Sequence, residues 1–211
     1  MARAATTKGQ TRIQREKTEL ILDAALEVFS TYGYRGSTLD QIAKQAGLSK
    51  PNILYYFDGK EVMHKTLLAR LLDTWLEPLI ELKATSDDPV AEICAYVQRK
   101  LEMARDYPRE SRLFANEILQ GAPRILPDLS GPLRDLTDEK AKVIQGWIDA
   151  GKLAPVDPHH LIFSIWSTTQ HYADFDVQVQ AVLGPAAQDR FAAAQSHLDQ
   201  MFRALLTPPA P

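Results

Sequence analysis

Apolar positions along this chain recur at three- and four-residue steps, the period of an amphipathic helix, and no pair of segments shows the alternation of half-buried strands. The pattern predicts a first helix from Ile13 to Tyr32, two short helices within 38–57 and a long one from Glu61 to about Lys83. Further helices are expected at about 88–106, 109–120, 131–150, 158–183 and 186–206. The fold class expected is all-α: a small three-helix head followed by a larger helical body. On the first helix Leu20, Ala24, Leu26, Val28 and Phe29 should pack inward, and Gly33-Tyr34-Arg35-Gly36 should break it.

The two short helices carry the densest local signals. Leu39, Ile42, Ala43 and Ala46 put one apolar face on the first of them. Thr38, with Gln41 three residues on, has the spacing of a capping box. Gly47 should enter the left-handed conformation that stops this helix, and Leu48 should plug the angle that follows. Ser49 caps the next helix, and Pro51 is tolerated in its first turn, where backbone N–H groups lack helical partners anyway. Ile53 and Phe57 then face inward, which leaves Lys50, Asn52, Tyr55 and Tyr56 outside. Lysine and asparagine are donors suited to phosphates and base edges, and a tyrosine hydroxyl can donate to a phosphate. A helix with such residues near its N-terminus fits a major groove. The competing reading is an ordinary helical hairpin with a solvated polar face.

The run from Thr38 to Lys60, with Gly33 before it and Glu61 after it, resembles the DNA-binding signature of TetR-family regulators. About ten positions agree in order and spacing. One position departs: five residues after the helix-opening Ser49 the family often has tyrosine, and here stands Leu54. The resemblance implies that Thr38, Ser49, Lys50, Pro51, Asn52, Tyr55, Tyr56 and Lys60 form the DNA-binding surface, with residues 15–60 as the DNA-binding domain and 61–211 as a ligand-binding and dimerisation domain.

Charge supports this division. Residues 1–60 hold nine Lys or Arg against six Asp or Glu, whereas the remainder holds fifteen against twenty-one, so a net charge of -3 hides a basic first quarter on an acidic body. Residues 1–14, with Arg3, Lys8 and Arg12 among small polar residues, read as a disordered basic arm able to find phosphates or as an idle solvated tail. One cysteine, Cys94, offers neither a disulfide framework nor zinc-site spacing. No apolar run reaches membrane-spanning length and no signal segment is visible, so a cytoplasmic location is expected. Phosphate loops, nucleophile elbows and paired catalytic carboxylates are missing from the sequence, and neither enzyme activity, cofactor nor metal is expected.

Toward the C-terminus two stripes step by three and four residues. Leu161, Ile165, Thr168, Tyr172, Phe175, Val179 and Val182 make the first, and Ala187, Phe191, Ala194, Leu198, Met201 and Leu205 the second. Such a hairpin can bury its stripes in its own core or pair with a second copy as a four-helix bundle. A palindromic double-stranded operator favours the second reading, because a two-fold dimer reads two half-sites.

Polar residues interrupt the first of these helices at Ser164 and Ser167-Thr168-Thr169-Gln170-His171, and buried polar groups need partners. With Trp75, Lys100 to Pro108, Ser111 to Phe114 and Leu161 to Phe175, this segment resembles pyrimidine-utilisation regulators within the TetR family. That resemblance implies uracil or thymine as effector and repression of pyrimidine catabolism. The expected ligand-binding residues are Trp75, Arg112, Trp166, Gln170 and His171. Gln170 offers a donor and an acceptor in one plane, Arg112 can donate to a carbonyl, and either Trp can cover a ring face. The alternatives are core packing for both Trp, contacts across a dimer interface for Gln170 and His171, and pairing with Glu117 for Arg112. Other small effectors on the same fold, or an all-helical enzyme, are the rival functions.

Overall fold

The computed structural model describes residues 11–209, in which the regular elements are all helical. The chain divides into a head, Met1–Ala69, and a body, Arg70–Pro211. No described helix is long and apolar enough to cross a membrane.

In the head, α1 spans Arg12–Gly36, α2 Leu39–Ala46 and α3 Lys50–Tyr56, and α4, Lys60–Ile80, begins in the head and continues into the body. Thr11 caps α1 with a reciprocal Gln14 box, so residues 12–14 of the expected arm are helical. Its residues 1–10 lie outside the described ones. Gly33 adopts φ 66°, a left-handed value that costs a glycine little, and kinks α1 four residues before Ser37. Ser37 Oγ donates to the Gly33 carbonyl at 2.6 Å and bridges the kink. The inner face of α1 is Ile21, Ala25, Val28 and Phe29, at helical spacing. Leu20, expected inside, is 42% exposed, because it sits about 100° around the helix from Ile21. With Ile42, Ile53, Phe57, Met63 and Leu68 these side chains close the head's core.

The body comprises α5 (Pro89–Asp106), α6 (Pro108–Leu119), a single turn α7 (Leu126–Asp128), α8 (Arg134–Asp149), α9 (Pro158–Asp174), α10 (Asp176–Leu183) and α11 (Arg190–Leu206). Asp88 and Asp157 cap α5 and α9, each followed by proline at the first turn. Around α5 and α9 pack α8 and α11, with Ile93, Val97, Leu101, Ile144, Trp147, Leu161, Ile165 and Phe202 in one buried cluster.

Three expectations change here. The helix expected at 131–150 extends back to Leu126 through a π-helical turn at Leu129–Leu133, whose wider hydrogen bonding accommodates Pro132. The helix expected over 158–183 is two helices, since Phe175 leaves the helical region at φ -113°, ψ 25°. A 3-10 turn, Gly184–Asp189, delays the last helix to Arg190 and leaves Ala187 off it. Of the two apolar stripes, Leu161, Ile165, Val179, Ala194 and Leu198 are buried in the chain's own core, whereas Phe175, Val182 and Leu205 stay exposed.

Candidate DNA-binding helix and effector cavity

The head builds its presented helix from caps. Thr38 Oγ1 accepts from the Gln41 N–H at 3.2 Å while Gln41 Oε1 accepts from the Thr38 N–H at 2.7 Å, a closed box at the start of α2. Gly47 ends α2 at φ 64°, ψ 31°, with its N–H donating back to the Ala43 and Lys44 carbonyls. Ser49 Oγ accepts from Asn52 N–H at 3.4 Å and opens α3, with Pro51 in its first turn. Ile53 and Phe57 anchor α3 from within, and its outer face shows Lys50, Pro51, Asn52, Leu54 and Tyr55.

Individual roles separate at this point. Tyr55 is 74% exposed, whereas Tyr56 is partly buried and meets the Tyr55 ring edge-on at 5.1 Å between centroids. Lys50 Nζ lies 3.1 Å from Asp40, so a phosphate at this position competes with a carboxylate already in place. Lys60 is held differently. Its Nζ donates to the Tyr34 and Ser37 carbonyls, both at 2.8 Å, and sits 4.3 Å from the centre of the Tyr34 ring. That side chain fastens the start of α4 to the end of α1, and its donors point at backbone. Thr38 is likewise committed, as a cap.

In the body, α6 packs on α9, and the two helices line a cavity of about 370 Å³. Arg112, Phe114, Asn116, Gln170, Asp174 and Phe175 are among its walls. Arg112 and Asn116 are one turn apart on α6, as Gln170 and Asp174 are on α9, so two polar pairs share the cavity. Among the described residues the side chains of Arg112, Asn116 and Gln170 have no hydrogen-bonded partner. Asp174 accepts from Ser111 Oγ, and burial pushes its carboxyl above the ordinary value while Ser111 and Arg112 pull it back. Glu117, considered as a partner for Arg112, is taken instead by the N–H and guanidinium of Arg124 at 2.8 and 2.9 Å.

The structure brings together two of the five expected ligand residues, Arg112 and Gln170. Trp75 lies next to this cavity, with its ring 5.9 Å from that of Phe114, in a small cluster with Leu71 and Met103. Trp166 is placed elsewhere: its indole N–H donates to the Tyr96 hydroxyl at 2.7 Å, at the edge of the main core. His171 is exposed and stacks on Phe175 from outside. Asn116 and Asp174 were missed, although one-turn spacing from Arg112 and Gln170 is a signal that could have found them. Among the described residues no cluster of His, Cys, Asp or Glu could hold a metal.

Residues 21–65 match the family described as bacterial regulatory proteins, tetR family, and residues 68–208 match the YcdC-like protein C-terminal region. The chain belongs to the TetR family. It is 50% identical over 186 residues to the HTH-type transcriptional regulator RutR of Escherichia coli strain K12, covering 87% of this chain and 86% of that protein. Among solved structures it is similar to the transcriptional regulator SCO4942 of Streptomyces coelicolor, with a TM-score of 0.68, 25% identity and coverage of 92% and 99% of the two chains. A TetR-like transcriptional regulator from Rhodococcus sp. RHA1 shares the fold at a TM-score of 0.66 and 17% identity, over 94% and 98%. This TetR-family chain is therefore a transcriptional regulator and not an enzyme. Regulators of the family bind operator DNA and small-molecule effectors and act as dimers.

Proposed function

We propose that this regulator represses pyrimidine catabolism and is released from a palindromic operator by uracil or thymine, acting in the cytoplasm as a homodimer. The observation that carries the effector assignment is the cavity between α6 and α9. Uracil is a flat ring whose edge alternates carbonyl acceptors with N–H donors. Two carboxamides, Asn116 and Gln170, each present a donor and an acceptor, and Arg112 adds a donor-only group. Phe114 and Phe175 supply ring faces, in keeping with a site that is mostly apolar with a few placed polar groups. The resemblance of the body to pyrimidine-utilisation regulators points the same way.

On the head, α3 is the recognition helix, with Lys50, Asn52 and Tyr55 as its DNA-facing residues and Tyr56 beside them. Dimerisation uses the outer surfaces of α9, α10 and α11. Phe163, Phe175, Val177 and Val182 are large apolar side chains left in solvent there, and they, with Phe175 and Val182 from the first stripe among them, supply the apolar contact. Uracil needs only to bind the released conformation more tightly than the operator-bound one, since equal binding shifts nothing. Calorimetric titration of uracil and thymine into the purified protein tests the effector assignment. Saturable heat with one site per chain is expected, and a flat trace for both bases overturns it.

A further inference from the structure

Lys60, Lys100 and Lys140 are drawn away from solvent, and two of the three are well provided with acceptors. Lys60 donates to two carbonyls at 2.8 Å. Lys140 donates to the Ile80 and Leu82 carbonyls at 2.9 and 3.3 Å and lies 3.1 Å from Glu139. Lys100 is buried more deeply than Lys60 and has less: one carbonyl, that of Trp75, at 3.4 Å, and the Trp75 ring at 4.6 Å from Nζ. An ammonium has three donors, and a buried charge is costly unless it is paired and hydrogen-bonded. Burial accordingly lowers the Lys100 pKa from its ordinary value to about 8.

Beside it is a second unsatisfied donor. The Trp75 indole Nε1 is buried and has no hydrogen-bond partner. Buried side-chain donors are nearly always paired, and an unpaired indole N–H beside an ammonium with one long hydrogen bond calls for an explanation. Both have room for a further acceptor, and the side chains that complete the cluster, Met103 and Leu71, offer no oxygen. Phe114 packs against it and is at the same time a wall of the α6–α9 cavity.

We propose that Lys100 Nζ and Trp75 Nε1 form the inner end of the effector site, where they receive a carbonyl oxygen of the bound ligand that reaches them past Phe114. This inference rests on the pyrimidine reading given above and deepens it: the α6–α9 carboxamides match the ring's mixed edge, and the inner pair demands an acceptor. A ligand oxygen there gives the ammonium a second hydrogen bond and the indole N–H its only one. A pyrimidine in which an amino group replaces that carbonyl meets donors with donors and is rejected, which makes Lys100 a specificity determinant.

The test is calorimetry with uracil on the wild-type chain, Lys100→Met and Trp75→Phe, with melting temperature and operator binding as controls. Lys100→Met removes the charge but keeps the stem, and relief of an unpaired buried charge should leave the melting temperature unchanged or raised. Uracil affinity should fall about 10- to 100-fold in Lys100→Met, the loss expected for a charged hydrogen bond in a buried site. In Trp75→Phe, which keeps a ring and loses the N–H, a roughly tenfold fall is expected. Wild-type-like uracil affinity in a folded Lys100→Met overturns the inference and leaves the pyrimidine reading standing. If Lys100→Met does not fold, Trp75→Phe decides by the same criterion. Absence of uracil binding to the wild-type chain fails the pyrimidine reading itself, and this inference with it.

Discussion

Lys60 in the head and Lys100 in the body each lie over an aromatic ring, at 4.3 and 4.6 Å from its centre, yet they do opposite things. Around Lys60 two fixed carbonyls accept from the ammonium, and the neighbouring helix starts are closed by Thr38 and Ser49, so the head is a finished piece of structure that presents one helix. In the body the polar groups near the cavity are left open: Lys100, the Trp75 indole, Arg112, Asn116 and Gln170 have donors to spare. A region that must hold a fixed shape against DNA satisfies itself. One that must respond to a small molecule keeps unsatisfied groups for the molecule to complete, and accepts a lower stability in its empty state.

The comparison is sharpest when the two lysines are changed in the same way. Lys60→Met should destabilise the head by about 2–3 kcal/mol, because it leaves two carbonyls without their charged donor, and operator binding should be lost with it. The same change at Lys100 should cost no stability and alter effector binding alone. Denaturant titration of both variants checks this, and equal destabilisation would erase the distinction. Next in size, Thr38→Ala removes the cap of α2 and should cost about 1 kcal/mol in chemical denaturation, with operator affinity weakened through the displaced α3 rather than through a lost contact.

Asp174 provides a smaller, pH-dependent probe of the body. Burial raises its folded pKa above the ordinary value of 3.8, so the folded state holds its proton more tightly than the unfolded one. Its contribution is fully favourable below the unfolded value and is lost as pH rises through the folded one. Asp174→Asn should therefore flatten that part of the stability profile, and melting curves from pH 3 to 7 should show the wild type losing ground to the variant. An unchanged difference across that range contradicts the assignment. The smallest effect belongs to Tyr55→Phe, which should weaken operator binding by about 0.5–1.5 kcal/mol, one neutral hydrogen bond, and leave the melting temperature alone. Tyr56→Phe, whose ring is partly buried, should change operator binding less.

The head was nearly all legible in the sequence, because its signals are local. Thr38 with Gln41, Gly47 and Ser49 with Pro51 each act within four residues, and each appears in the structure as read. Leu20 was misplaced because adjacent apolar positions leave the inward direction to be chosen by tertiary packing. In the body, periodicity carried the reading straight through Phe175, where no glycine or proline marks the break between α9 and α10. The same periodicity could not say which way the stripes face, and Leu161 and Leu198 went to the chain's own core. The cavity was half legible. Gln170 and Arg112 announced themselves by polarity in apolar surroundings, whereas Trp75 and Trp166 have the same sequence character and opposite fates, one with an unpaired N–H and one bonded to Tyr96. Lys100 hid in plain view. It lies four residues after Tyr96 and three before Met103, inside a buried stripe where a lysine is out of place, and only its poverty of partners in space reveals it.

Completion of the cavity by a pyrimidine should release the DNA. Fluorescence anisotropy of the protein bound to an operator fragment selected from random DNA, titrated with uracil, reads this release for the wild type and Gln170→Ala. Anisotropy should fall to the free-DNA value in the wild type, and Gln170→Ala should bind the fragment equally well yet require at least tenfold more uracil for release. Wild-type complexes that stay bound under saturating uracil, or a Gln170→Ala variant released at the wild-type concentration, would contradict it.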